Sequence, residues 1–193
     1  MAHLEKKDLF TLEKYAAIRE EFRKKVMAHK KNRRLVLNPH AAIYFEDKLT
    51  MQYQVQEMLR IEKIFEADGI QEELDVYNPL IPDGSNWKAT FMIEYEKVEE
   101  RKKALAKLIG IEKSIWVKIE DSEKIYAIAN EDLSRENDDK TASVHFLRFE
   151  LTKNMRADAK VGLPILFGID HPLFKTEVTV APEIQQSLIK DLA

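Results

Sequence analysis

The chain reads as a single α+β domain over residues 1–193, with about six mostly antiparallel strands and helices packed chiefly on one face. Three observations carry that reading. A length of 193 residues with 45% hydrophobic content suffices for one full core and is short for two. Segments with a two-residue period, at Ala89–Tyr95 and Ser143–Leu151, are interleaved with stretches of helical period. Short polar connections at Asn38–His40 and Asp121–Glu123 join consecutive strands as hairpins, which favours antiparallel pairing over a doubly wound sheet.

Asp8 or Thr11 is placed to cap a first helix reaching His29, with Leu12, Tyr15, Ala16, Ile18, Phe22 and Val26 as its apolar stripe. Leu35–Leu37 and Ala41–Phe45 form the first hairpin, which puts His40 at a loop tip. A helix follows over Met51–Glu66, and a shorter acidic one over Ile70–Tyr77, ended by Asn78 and Pro79. Ala89–Tyr95 is a half-buried strand, and Val98–Ile109 an exposed helix stopped by Gly110. Ser114–Glu120 and Lys124–Asn130 read as a second hairpin, and the polar LSRENDD stretch before Lys140 as a mobile loop. Ser143–Leu151 is a central strand in which His145 shares a face with Leu147 and Phe149, the position of a satisfied, half-buried histidine. Thr152 caps a short helix to Lys160, Leu163–Ile169 is a last strand, and Pro182 opens a terminal helix to Leu192.

Composition excludes whole classes of chemistry. Without cysteine there is no disulfide, no thiol nucleophile and no cysteine-held iron-sulfur cluster or zinc ribbon; a cytoplasmic location is the expectation. Five glycines, none in a phosphate-cradling loop, exclude a P-loop or dinucleotide fingerprint, and no GxSxG, HExxH, paired ExxH or EF-hand pattern occurs. The longest apolar run, Val161–Ile169, is broken by Gly162, Pro164 and Gly168, so neither a membrane span nor a signal peptide is expected.

Charge is distributed unevenly. The formal net charge is −3, yet residues 1–38 carry 11 Lys and Arg against 5 Asp and Glu. Arg23, Lys24, Lys25, Lys30, Lys31, Arg33 and Arg34 form a candidate patch for an acidic partner or a phosphate-bearing ligand, or else a solvated helix end. The acidic whole and the lack of interleaved aromatics argue against nucleic acid, so an anion or nucleic-acid binder through Arg23–Arg34 stands third among the readings of function.

One carboxylate is oddly placed. At 100° per residue Glu62 falls among Met51, Val55, Met58, Leu59 and Phe65, with Glu66 at the edge of the same arc. A dehydrated carboxylate requires a partner, because its burial costs several kcal/mol. Either the helix is covered only along its first turns, leaving Glu62 in solvent or in a plain ion pair, or Glu62 meets a ligand, a metal or a partner protein. The opposite face, with Tyr53, Glu57 and Arg60, is polar enough to be wet and allows an Arg60–Glu57 pair. Asp170 and His171, before Pro172, form a rigid corner that is either structural or a proton-transfer pair. With Glu57, Glu62, Glu66, Glu73, Glu94, His40 and His145 they supply oxygen and imidazole donors suited to iron, manganese or zinc if the fold gathers three of them.

The blocks NPHAAIYFED, YQVQEMLRIEKIF, IQEELDVYNPLIP, ATFMIEY, HFLRFELT and GIDHP, in that order and spanning nearly the whole chain, resemble an uncharacterised bacterial family, domain of unknown function number 3501. Its members are often encoded beside rubrerythrin-like proteins and iron-sulfur oxidoreductases of the heterodisulfide-reductase type. The resemblance implies a redox or peroxide-stress setting with such proteins as partners, and it brings no catalytic residues with it. Cluster chemistry would then belong to the neighbour, leaving this chain an accessory, scaffold or substrate-handling role; the alternative is a small metal-binding protein or metalloenzyme centred on Glu62 with His40 or His171 in reach.

Overall fold

A computed structural model describes residues 3–131 and 139–193. The Thr11 hydroxyl accepts the Lys14 N–H at 3.3 Å and starts α1 (Leu12–Lys31), which buries Tyr15, Phe22 and Val26. β1 (Arg34–Asn38) and β2 (Ala41–Glu46) form the expected hairpin, its tip tightened by Asn38 Oδ1, which accepts the His40 N–H at 2.7 Å. Asp47 and Thr50 satisfy each other's backbone N–H groups at 2.9 Å in a capping box that opens α2 (Lys48–Glu62). Then come α3 (Ala67–Tyr77), β3 (Asn86–Ile93), α4 (Val98–Lys107), β4 (Ile115–Ile119), β5 (Ile125–Tyr126), β6 (Ile128–Ala129), β7 (Val144–Glu150), α5 (Lys153–Lys160), β8 (Ile165–His171), β9 (Phe174–Thr179) and α6 (Pro182–Leu188).

The strands make two antiparallel sheets, in the orders β1-β2-β3-β7-β6 and β5-β4-β8-β9. Their inner faces enclose the main core. Phe167 of β8 meets Phe45 of β2 and Phe149 of β7 edge-on at 5.2 Å, and Trp87 of β3 at 6.0 Å. Met155 and Ala159 of α5 and Leu188 of α6 belong to the same core, and the Trp87 indole N–H is answered by the Leu188 carbonyl at 2.9 Å. The helices α1, α2 and α3 form a separate layer with two smaller apolar clusters of their own. This layer is fastened to the outer face of the larger sheet by Glu46, which accepts hydroxyl bonds from Thr50 of α2 at 2.7 Å and Thr90 of β3 at 2.8 Å.

The α+β class is as read from the sequence; the strand count is nine, not six, among the described residues. Two departures account for most of the difference. The second arm of the expected Lys124–Asn130 hairpin is split: Ile125 and Tyr126 pair with β4, the chain crosses at Ala127, and Ile128 and Ala129 pair with β7 in the other sheet. The strand expected to end at Ile169 continues through His171 and turns at Pro172–Leu173 into β9. The LSRENDD stretch, apart from Asp139, lies outside the described residues. His145 is fully buried and held by Asn130, Thr141 and the Ala142 carbonyl, each at 3.0 Å. Among the described residues no helix is long and apolar enough to cross a membrane.

Candidate interaction surface

Glu62 is the last residue of α2 and is exposed, so its expected enclosure by apolar neighbours is not what the fold provides. The arc itself is sound: Met51, Val55 and Leu59 are buried. What fails is its continuation. Lys63 adopts a left-handed conformation (φ 56°, ψ 39°), its N–H caps the Leu59 carbonyl, and the helix stops four residues before the expected Glu66. Phe65 thereby leaves the arc and is 72% exposed, while Glu66 becomes the exposed N-cap of α3.

The other candidates are dispersed. Glu57 is not on a wet face: it joins α1 to α2, accepting two bonds from Arg19 at 2.8 and 2.6 Å and one from the buried Tyr15 hydroxyl at 2.7 Å, with Arg60 at 3.7 Å. Those donors hold its carboxyl below the usual carboxylate range, Arg19 contributing most. His40 stacks on Tyr95 at 4.0 Å, with Nδ1 on the Glu94 carbonyl at 3.0 Å. Asp170 and His171 are successive residues of one strand and therefore project to opposite faces, which removes the proton-transfer pair. Asp170 accepts from Lys124 and Tyr126 at 2.8 Å, and Lys124 chiefly keeps its carboxyl low; His171 is buried beside the Ile109 carbonyl. Among the described residues no group of three or more His, Asp or Glu side chains is placed to hold a metal ion. Iron, manganese or zinc thus has no assembled donor set there.

The basic segment also divides. Arg23, Lys24, Lys25 and Lys31 are exposed, Lys24 pairing with Glu20, and Lys30 lies over the Tyr53 ring. Arg34 bonds Tyr44 and Glu94. Arg33 does not belong to the patch: it is 2% exposed and donates to the Phe45 and Glu46 carbonyls at 3.0 Å, to the Ser187 hydroxyl at 3.2 Å and to Asp191, with Asp47 at 3.4 Å. His29 joins the same node through Asp47 at 2.5 Å. No spacing rule links Arg33 to Asp191, 158 positions away, so sequence reasoning had no signal for it.

Where α2 gives way to α3 the surface has a different character. Residues 61–77 carry Glu62, Glu66, Asp68, Glu72, Glu73 and Asp75 against the single cation Lys63. None of Glu62, Glu66, Glu72 and Glu73 forms an ion pair among the described residues. Partial burial, and then the neighbouring charges of Glu62 and Glu72, push the Glu73 carboxyl above its ordinary value. Beside this uncompensated acid stand two large apolar side chains open to solvent, Ile61 (62%) and Phe65 (72%). The combination of an apolar anchor with a one-sign rim is how recognition surfaces are built. The sequence contained the ingredients, but only the early helix stop exposes Phe65.

Comparison with known proteins agrees with the resemblance drawn from the six blocks. No curated protein matches the chain. A crystal structure of a novel protein of unknown function from Burkholderia pseudomallei K96243 superposes with a TM-score of 0.94 at 48% identity over 100% of both chains. The family model described as "Protein of unknown function (DUF3501)" matches residues 3–192, and the chain belongs to that family.

Proposed function

We propose that the chain is a non-enzymatic accessory protein that docks, through the acidic corner between α2 and α3, onto a basic surface of a redox partner in a cytoplasmic redox or peroxide-stress pathway. The observation that carries the docking half is the crowding of Glu62, Glu72 and Glu73 without a counter-charge beside exposed Ile61 and Phe65. Like charges held together raise the cost of keeping one another ionised, and a basic partner relieves that cost as it covers the apolar pair. The redox setting rests on the family resemblance, which points to a rubrerythrin-like protein or an iron-sulfur oxidoreductase. The exposed Arg23, Lys24, Lys25 and Lys31 offer a second, oppositely charged face, but Glu20 already shares in its neutralisation.

The test is affinity capture of the full chain from peroxide-stressed cells, in parallel with a Glu62→Lys/Glu73→Lys double variant. Recovery of a rubrerythrin-like or iron-sulfur protein by the native chain, lost with the variant and weakened by salt, is the expected result. Recovery of no redox protein, or equal recovery by the variant, overturns the reading.

A further inference from the structure

The outer face of the larger sheet is not wholly covered by the helical layer. A groove of about 790 Å³ remains between it and the end of α3, a volume in the range of small-molecule sites. Strand period sets its floor. Lys88 of β3 lies directly opposite Arg148 of β7, and the next outward-facing row places Phe146 opposite Thr90, so a cation sits beside an aromatic ring on the same face. The wall comes from Tyr77, Pro79 and Leu80, where α3 runs into a single 3₁₀ turn.

The charges around this floor are unequally satisfied. Arg148 is fully engaged, donating twice to Glu131 at 2.9 and 2.7 Å and once to Glu150 at 2.6 Å. Glu150 also accepts from Ser85 and Asn86, Asp83 accepts from Ser85, and Glu46, opposite Lys88 on β2, is occupied by Thr50 and Thr90. Each neighbouring carboxylate therefore has its own donors. Lys88 is the exception: it is half-buried, and its ammonium makes no hydrogen bond or ion pair among the described residues. Burial, helped by the charge of Arg148, pushes its pKa below the ordinary lysine value and outweighs the opposing charges of Glu131, Asp83 and Glu150, none of which bonds it directly. A half-buried ammonium with no direct hydrogen-bonded partner among the described residues, at one end of a mostly apolar groove, suits a molecule with the same division.

We infer that the groove binds a small free carboxylate with an apolar body, its carboxylate received by Lys88 and its body laid against Phe146, Tyr77 and Leu80. Of the acidic segment only Asp75 reaches the groove, where it accepts from Gln71 at 2.8 Å; Glu62, Glu72 and Glu73 do not line it, so the inference stands or falls apart from the docking proposal. A carboxylate is favoured over a phosphate because a single ammonium among engaged acids matches one negative charge better than two.

The probe is octanoate, titrated into the full ¹⁵N-labelled chain with octanol and octylammonium as controls. Octanoate shifts the amide resonances of Lys88, Phe146 and Tyr77 and saturates in the millimolar range or below, octanol binds about tenfold more weakly, and octylammonium not at all. Lys88→Met weakens octanoate by about tenfold or more while leaving octanol binding unchanged, and Lys88→Arg restores part of the loss. Unchanged thermal melting of Lys88→Met shows that the fold is not what was lost. Absence of groove shifts with octanoate, equal affinity for octanol, or indifference to Lys88→Met overturns the assignment.

Discussion

The node around Arg33 and the corner around Glu73 use charge in opposite ways. At the node a guanidinium that is 2% exposed is met by three backbone carbonyls, a hydroxyl and two carboxylates, drawn from β2, the start of α2, α6 and the C-terminal turn. At the corner three glutamates share a small area, and none of them forms an ion pair among the described residues. At the node each charge has a partner because an unpaired one would cost several kcal/mol there; at the corner water tolerates the imbalance. Internal charge here is architecture, and unanswered surface charge is what remains for another molecule.

The contrast can be broken most forcefully from the inside. Arg33→Met leaves Asp191 and Asp47 buried together and two carbonyls without donors, and is expected to cost about 3–5 kcal/mol in chemical denaturation. A loss under about 1 kcal/mol would mean that the node relaxes into solvent and stitches nothing together. Next in size is the clamp between α1 and α2. Tyr15→Phe keeps the ring in the Phe22 cluster and deletes only the hydroxyl bond to Glu57, with an expected loss of about 1.5 kcal/mol.

The same node gives a pH signature of definite sign. Burial, opposed by Arg33 and reinforced by the charge of Asp47, pushes the Asp191 carboxyl up to about 6. The native state then holds this proton more tightly than the unfolded chain does, so its contribution to stability is complete below about pH 4 and lost as pH rises through about 6. The stability difference between the native sequence and Asp191→Asn should shift against the native residue by about 1 kcal/mol between pH 5 and pH 7. Glu57 runs the other way: its carboxyl is lowered, so its contribution is present at neutral pH and lost only as pH falls below the usual carboxylate range. A carboxyl-carbon NMR titration placing Asp191 near 4 would remove the distinction.

Local rules found what is locally decided. Thr11 and Thr152 cap their helices by accepting Lys14 and Met155 N–H groups, Pro182 occupies the first turn of α6, and β7 buries His145, Leu147 and Phe149 by simple alternation. The failures lie where a distant contact or a single dihedral overrides the pattern. Periodicity extends α2 to Glu66 because nothing in it records that Lys63 turns left-handed. Gly168 is another such place: a side chain there would strike the Trp116 ring and the Thr176 carbonyl, a reason for glycine that appears only once β4, β8 and β9 are side by side. Arg33 counted as surface in a run of basic residues because its partners come from the far end of the chain. Lys88 lay outside the expected strand Ala89–Tyr95, and its lack of a direct partner among the described residues is visible only once β3 starts at Asn86 and sets it beside neighbours that have theirs.

The smallest expected effect separates the corner from the node most cleanly. If Glu62, Glu72 and Glu73 contributed to folding as Arg33 does, neutralising one of them would lower stability. Their mutual repulsion and partial dehydration predict the reverse sign: Glu73→Gln should leave denaturation unchanged or raise stability by up to about 0.5 kcal/mol. Phe65→Ser, at a side chain 72% exposed, should also fall within about 0.5 kcal/mol of the native chain. A loss above about 1 kcal/mol at either position would show that the corner packs against its own chain. Stability that holds while partner capture fails assigns these side chains to recognition, because only a surface unused by the fold can lose binding without loosening the protein.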